Sequence, residues 1–282
     1  MKQAQTFELL TPCFCAGFSK NQPEMRIPSI RGQLRWWARL LNKPGRSEYQ
    51  NFGGIKGKAF EFTNDAVASA WKLTLQENQN AQPDDRYLVP HKENGRGGAG
   101  FLCKALIEGN RYTLGWQPQP HPKFNGHLTS EDARGEFTRI LKTWMLLGTV
   151  GRRATRAMGS VWPLDYCPTE EEFHDALKKL RLPNELRFQI LNKTGAADEL
   201  TRIAGETVHG LKMGDFTRNP LGFVKGSSRK SSPLRFKVGR FKGGLKLIAI
   251  WDARTDRKGD LGEAIGSLTE PLRELMKNFP LL

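Results

Sequence analysis

Two segments of this chain repeat apolar residues three and four positions apart, which is the spacing of one face of an α-helix. In the first segment, residues 30–42, these residues are Leu34, Trp37, Ala38 and Leu41. In the second, which follows a capping signature at 129–132, they are Phe137, Ile140, Leu141 and Trp144. Both segments are therefore predicted to form amphipathic helices whose apolar faces are buried against other elements.

Strand-like stretches lie before, between and after these two helices. We predict one strand at 6–15, another at 70–76, and a hairpin formed by 101–107 and 112–117. The order of strand, helix, strands, helix and strand is that of a ferredoxin-like βαββαβ unit with insertions. The sequence therefore predicts an α+β fold of this type.

The pattern partly repeats in the second half of the chain. The elements predicted there are helices at 169–181, 197–209 and 261–279 and strands at 185–192, 233–238 and 245–251. We therefore expect two tandem units, residues 1–165 and residues 166–282, at a chain length that allows two small domains.

Composition excludes several classes of protein. Apolar residues make up 38% of the chain, as in globular proteins, and no apolar run approaches the roughly 18 residues of a membrane span. The first residues lack the layout of a secretory signal, so we expect a cytoplasmic protein. Cys13 and Cys15 alternate in a strand, and the cysteines and histidines show no paired spacing. We therefore expect buried thiols, with no metal and no cofactor.

The net charge of +15 is concentrated in three segments. Residues 26–58 contain eight basic residues and one acid, residues 139–156 contain five and none, and residues 212–246 contain ten and one. Segments of one sign on a common surface attract a polyanion, and interspersed aromatic rings are typical of proteins that bind single-stranded RNA. The alternative is that the three segments form separate solvated surfaces.

The helix predicted at 30–42 carries a ladder of arginines. Arg31, Arg35 and Arg39 follow one another at intervals of four residues, a rise of about 6 Å per step that is close to the phosphate separation in a nucleic-acid strand. Ser29 is predicted to be the N-cap, where backbone N–H groups add donors for anions. Such a ladder could equally be a salt-bridged face, but no acid lies between Arg26 and Arg46 to pair locally.

Two glycine-rich loops add further candidate contacts. The loop 51–58 is basic but matches no nucleotide-triphosphate motif, and the loop 148–160 alternates small residues with arginine. We expect the second loop to contact a phosphodiester backbone rather than fill a core. The predicted RNA-binding residues are Arg26, Ser29, Arg31, Arg35, Trp36, Arg39, Lys56, Lys58, Arg152, Arg153, Arg156, Lys225, Arg229 and Lys230.

These motifs resemble the RAMP superfamily of CRISPR proteins. The runs 10–17 (LTPCFCAG), 27–39 (IPSIRGQLRWWAR) and 52–54 (FGG) are similar to the N-terminal pattern of the head-end RAMP subunit of Cmr, or type III-B, effector complexes. The run 151–161, from Gly-Arg-Arg to Gly-Ser-Val, resembles the family's glycine-rich loop, and Ser-Pro-Leu at 232–234 resembles its later SPL segment.

The resemblance implies a ferredoxin-like (RRM-like) RAMP fold in two tandem units with glycine-rich loops. It implies that the chain holds guide RNA and target RNA inside an assembly with other RAMP subunits. It also implies no catalysis by this chain, because the repeating backbone subunits of such complexes cut target RNA through an acidic loop residue. The corresponding early loop here, 18–26, contains only Glu24.

Two other functions stay open from the residues alone. RAMP relatives that process guide precursors are metal-independent ribonucleases, and such a site needs a general acid and base. A basic ribosome-associated or DNA-binding protein would share the charge, but it would not explain a Trp-Trp helix followed by glycine-rich loops. Candidate acid–base residues for a ribonuclease are the loop histidines His91, His121, His127 and His209.

We expect alanine at Arg31, Arg35 or Arg152 to weaken RNA binding with little sequence preference. Each lost phosphate contact should lower the slope of log affinity against log salt concentration by about one. A salt titration of RNA affinity measures this slope. Unchanged affinity in all three folded variants would contradict a common RNA groove.

Overall fold

The structure is a computed structural model that describes residues 3–16, 22–41, 48, 51–55, 66–79, 83–87, 102–119, 131–210, 223–225, 228–230, 232 and 234–252. The helix predicted at 261–279 and the cap at Thr129 lie outside these residues. The elements in chain order are β1 (Gln3–Leu9), α1 (Ile27–Leu41), β2 (Gly54–Ile55), β3 (Ala66–Val67), β4 (Trp71–Gln79), β5 (Asp84–Tyr87), β6 (Leu102–Ala105), β7 (Arg111–Pro118), α2 (Glu131–Leu147), β8 (Val161–Pro163), α3 (Glu170–Lys179), β9 (Leu186–Thr194), α4 (Ala197–Gly210), β10 (Phe223–Lys225), β11 (Ser228–Lys230), β12 (Leu234–Phe241) and β13 (Gly244–Asp252).

The first unit is built on a four-stranded sheet. Its strand order is β4-β7-β1-β8, and every neighbouring pair is antiparallel. With α1 after β1 and α2 after β7, this is the strand order of a ferredoxin-like βαββαβ unit. The predicted α+β fold is confirmed.

The apolar faces of α1 and α2 are buried as their spacing predicts, all eight residues at 6% exposure or less. Trp144 of α2 meets the Phe7 ring of β1 edge-on at 5.4 Å, and Phe7 stacks on Tyr112 of β7 at 5.5 Å. These ring contacts fix α2 against the centre of the sheet, where each buried aromatic side chain contributes about 1.5–3 kcal/mol.

The predicted hairpin of 101–107 with 112–117 is wrong. β6 pairs with β5, while β7 is a central strand that pairs with β1 on one side and β4 on the other. Leu106, just after β6, exchanges backbone hydrogen bonds of 2.8 and 3.0 Å with Cys13. The turn residues between β6 and β7 therefore do not form a hairpin, because β7 pairs with two strands that are distant in sequence, one at each edge.

The second unit is built on a three-stranded antiparallel sheet of order β12-β13-β9, with α4 following β9. This is the arrangement of the first three strands and first helix of another ferredoxin-like unit. The division between residues 165 and 166 stays a prediction. None of the helices within the described ranges is long and apolar enough to span a membrane.

Strand β12 connects the two units through its outer edge. Phe236 N donates to Thr155 O, and Ala157 N donates to Phe236 O, both at 3.1 Å. Val238 N donates to Ser160 Oγ at 2.9 Å. The loop 148–160 of the first unit therefore pairs with the edge strand of the second.

Lys237 of β12 makes a buried polar contact between the units. Its ammonium is fully buried and donates to Met145 O at 2.6 Å, to Gly148 O at 2.8 Å and to Val161 O. Burial lowers the pKa of Lys237 well below its ordinary value, while three carbonyls match the three N–H donors of the charged form. The side chain thus satisfies carbonyls at the C-terminal end of α2, which have no partner within the helix.

We expect Lys237→Met to lower the free energy of unfolding by about 3 kcal/mol, because three buried carbonyls lose their donor. The midpoint of thermal unfolding should fall by about 6–12 °C. Lys242→Met is the matched control, since Lys242 forms an exposed ion pair with Glu172 at 3.2 Å, and water screens such a pair so strongly that its loss should barely change the midpoint. Equal losses in the two variants would contradict the role of Lys237.

The lowered pKa of Lys237 also sets a pH dependence. Between the folded pKa and the unfolded value of about 10.4, the unfolded state binds more protons, so the stability contributed at this site rises with pH. Lys237→Met should therefore lose more stability relative to the natural chain at high pH than at neutral pH. Denaturant titrations measure the free energy of unfolding of both chains across this pH range. A stability difference between them that becomes smaller as the pH rises would contradict the prediction.

Candidate nucleic-acid interface

The three basic segments meet where β12 crosses the loop 148–160 and α1. The Arg235 guanidinium lies 3.7 Å from the centroid of the Trp36 ring on α1. Arg156 forms a parallel bridge with Phe236, and Arg152 forms an antiparallel bridge with Phe14. Residues from all three segments therefore share one region of the molecule, which is the convergence that an RNA surface requires.

Two glycines determine the path of the loop 148–160. Gly151 and Gly159 have left-handed φ angles of 91° and 64°. A Cβ on Gly159 would lie 1.9 Å from Val150 O, and a Cβ on Gly151 would lie 3.0 Å from Phe14 O. Neither position accepts a side chain, because the backbone passes too close to the main chain of its neighbours.

The prediction that this loop stays outside the core is wrong for its second half. Residues 156–160 are buried. The Thr11 hydroxyl donates to Ala157 O at 2.6 Å and accepts from Ser160 N at 2.9 Å. The small side chains of this half let the loop backbone pack closely against the segment after β1. Small residues are therefore needed here for core packing.

The loop carries three arginines whose exposure falls along the chain. Arg152 is exposed, Arg153 is half-buried and Arg156 is only 5% exposed. Burial lowers the pKa of Arg156 to about 10, with Arg153 adding to the effect, and burial together with Arg152 lowers the pKa of Arg153. None of the three forms an ion pair within the described part of the chain, so bound anions would relieve their mutual repulsion.

The N-terminal end of α1 adjoins this loop through Phe14 and Cys15. The helix begins at Ile27, with Pro28 in its first turn, so Ser29 is not the N-cap that the sequence predicts. Ser29 instead lies beside the buried Cys15 thiol. Cys13, Ser29 and Arg26 together lower the pKa of Cys15, against the opposing effect of burial.

The arginine ladder of α1 has protein partners at two of its three steps. Arg35 Nη2 donates to Phe52 O at 2.8 Å and to Gly53 O, and Arg39 Nε lies 2.8 Å from the Glu48 carboxylate. Glu48 lies beyond the acid-free stretch 26–46, and it reaches Arg39 because the chain after α1 folds back beside the helix. Arg31 is half-buried, and its Nε has no hydrogen-bond partner among the described residues.

Trp36 belongs to the joint between the units as well as to the basic region. Its ring packs edge-on against Trp37 at 4.8 Å and lies next to the Arg235 guanidinium. Burial lowers the pKa of Arg235 to about 10, with Asp252 opposing the shift. Arg235 is not among the RNA-binding residues predicted from the sequence, although it lies in the third basic segment, 212–246.

The remaining predicted residues lie on other elements or outside the described residues. Lys56, Lys58, His91, His121 and His127 lie outside the described residues. Among the residues that the structure does describe, no cluster of three His, Cys, Asp or Glu side chains is arranged to hold a metal. Lys225, Arg229 and Lys230 lie on the two-stranded hairpin of β10 and β11, and His209 lies at the end of α4.

Comparison with known proteins gives both family and fold. The chain matches the RAMP superfamily over residues 6–162. One curated relative, the CRISPR system Cmr subunit Cmr1-1 of Pyrococcus furiosus, is 30% identical over 148 residues. That alignment spans 51% of this chain and 41% of the relative, so the match covers less than half of the relative's length.

Two solved structures resemble the fold at low sequence identity. The crystal structure of Cmr1 from Pyrococcus furiosus in its apo form has a TM-score of 0.59 at 18% identity, covering 89% of this chain and 87% of that chain. A chain in the cryo-EM structure of type III-B Cmr-beta bound to cognate target RNA has a TM-score of 0.51 at 11% identity, covering 88% and 94%. The match to the RAMP superfamily extends over more than half of the residues of this chain. The chain therefore belongs to the RAMP superfamily.

Proposed function

We propose that this chain is an RNA-binding subunit of a type III CRISPR effector complex, with no catalysis of its own. It holds guide RNA, target RNA or both by phosphate contacts, and it assembles with other RAMP subunits in the cytoplasm. The observation that carries this proposal is the meeting of three basic segments around the loop 148–160. The names of its relatives agree, since one is a Cmr subunit and another chain comes from a complex bound to target RNA.

The arginines divide into two groups by their surroundings. Arg152, Arg153 and Arg31 keep guanidinium groups without ion pairs among the described residues, and these make the phosphate contacts. An arginine guanidinium can donate two parallel hydrogen bonds to the oxygens of one phosphate. Such contacts position an RNA strand without reading its sequence. Sequence is then read by pairing between guide and target, as in other RNA-guided systems.

The second group orients the first. Arg35 holds the carbonyls of residues 52 and 53, Arg235 lies against Trp36, and Arg156 is buried within the loop 148–160. These side chains fix the backbone from which Arg31, Arg152 and Arg153 extend. Their contribution to RNA affinity therefore comes through the shape of the surface.

We expect Arg152→Ala and Arg153→Ala to weaken RNA affinity about 3- to 10-fold each near physiological salt, and each should lower the salt slope by about one. Arg202→Ala is the matched control, because Arg202 is an exposed arginine on α4 that pairs with Glu206 at 2.8 Å. Binding is measured on the purified chain with single-stranded RNA over a range of salt concentrations. Loop variants that behave like the control would refute the assignment.

The structure changes the expectation for Arg35: its guanidinium donates to protein carbonyls, so Arg35→Ala should no longer act on RNA binding as Arg31→Ala does. Loss of the Arg35 hydrogen bonds should lower the free energy of unfolding by about 1–2 kcal/mol and leave the salt slope unchanged. Arg31→Ala should lower the slope and leave stability within about 0.5 kcal/mol. Thermal unfolding and salt titration on the same two variants separate the roles, and the reverse pattern would contradict them.

RNA recovered with the chain tests the proposal as a whole. Complex purified from the native host should contain RNA of discrete length together with other RAMP subunits. RNA of mixed length would favour a generic basic RNA-binding protein. Cleavage of a guide precursor by this chain alone would contradict the statement that it performs no catalysis.

A further inference from the structure

Strand β8 covers only part of the outer edge of β1. Its three residues pair with positions 7–9, and one further hydrogen bond runs from Leu164 N to Thr6 O at 3.1 Å. β8 ends at Pro163, and Asp165 has a left-handed φ of 62° where the chain turns away. The start of β1, Gln3–Gln5, therefore has β7 on one side and no described strand on the other.

The open edge exposes the backbone groups of Ala4. In an antiparallel strand, alternate residues turn both N–H and C=O to the same side. Thr6 O accepts from Leu164 N and Leu10 N donates to Ser160 O, so the even-numbered residues of β1 face the β8 side. Ala4 shares this orientation, and its N–H and C=O point to the open edge.

A groove lies beside this edge. It consists of two adjoining cavities of about 390 and 380 Å³, which share Gln5, Lys142 and Met145. Lys142 is exposed at the centre of the groove and forms no ion pair within the described ranges. The apolar walls come from Leu141, Met145 and Leu146 of α2, Trp116 of β7, and Leu164 after β8.

We propose that this groove binds an extended segment of another protein chain, which adds a strand to the edge of β1 at Ala4. The bound backbone pairs with the N–H and C=O of Ala4, as in strand addition to a sheet edge. An aliphatic side chain of the segment fills the cavity beside Met145, and an acidic side chain faces Lys142. The inference rests on the proposed function, since the partner is another protein subunit of the effector complex.

The backbone and the charge of the groove select this occupant. The N–H and C=O of Ala4 point to the same side. An extended main chain matches them, because one of its residues can offer both a C=O acceptor and an N–H donor. Lys142 favours a partner with a carboxylate at that point. A second copy of this chain fits poorly, because two molecules of net charge +15 repel one another.

The test compares Ala4→Pro with Ala4→Ser. Proline removes the N–H that points to the open edge and leaves the β1–β7 ladder intact, as prolines on edge strands do. Serine keeps the N–H and is the matched control. Both isolated variants should melt within about 2 °C of the natural chain, which shows that β1 still folds.

The partner is detected in the complex purified through a tag on this chain. In hydrogen exchange measured by mass spectrometry, the peptide containing Ala4 should gain about one protected amide in the complex relative to the free chain. Ala4→Pro should lower the yield of one protein subunit about tenfold, and Ala4→Ser should not change it.

Equal exchange of the Ala4 peptide in the free chain and in the complex would overturn the proposal. So would protection caused by a homodimer that sedimentation detects and that Ala4→Pro dissociates. RNA content separates this inference from the proposed function. A complex with RNA of discrete length but an unprotected edge refutes the docking site alone, and a protected edge in a complex without RNA refutes the RNA role alone.

Discussion

The arrangement of the two units depends on the buried ammonium of Lys237. Its three hydrogen bonds connect β12 of the second unit to the end of α2 and to β8 of the first. Arg240, three residues further along β12, forms an ion pair with the buried carboxylate of Glu8. A charged group in such a site is costly unless every donor is satisfied, so this contact permits few relative positions of the two units.

That arrangement creates the basic surface. Because Lys237 fixes β12, the neighbouring Phe236 pairs with the loop 148–160 and Arg235 reaches Trp36. The loop has two faces with different tasks: its buried half packs against Thr11 and β12, and its other half extends Arg152 and Arg153. Stability of the joint and charge of the surface thus come from the same short segment.

Hydrophobic periodicity was sufficient to predict α1, α2 and the α+β fold, since burial of one face requires that spacing. Signals from neighbouring residues in the sequence were insufficient to predict pairing where a residue or strand has a partner far away in the sequence. The residues after β6 offer a turn, yet β7 is bound by β1 and β4. Arg35 and Arg39 lack acids nearby in sequence, yet residues 48–53 supply their partners. Lys237 cannot be told from its basic neighbours by sequence, because its role depends on carbonyls 76 to 92 residues away.

We propose that RNA phosphates lie where the three basic segments meet. Photochemical crosslinking of RNA to the intact complex, followed by mass spectrometry of the crosslinked peptides, tests it most directly. We expect crosslinks in peptides from α1, from the loop 148–160 and from the start of β12. Crosslinks confined to α4 or to the groove beside β1, with none at the loop, would contradict it.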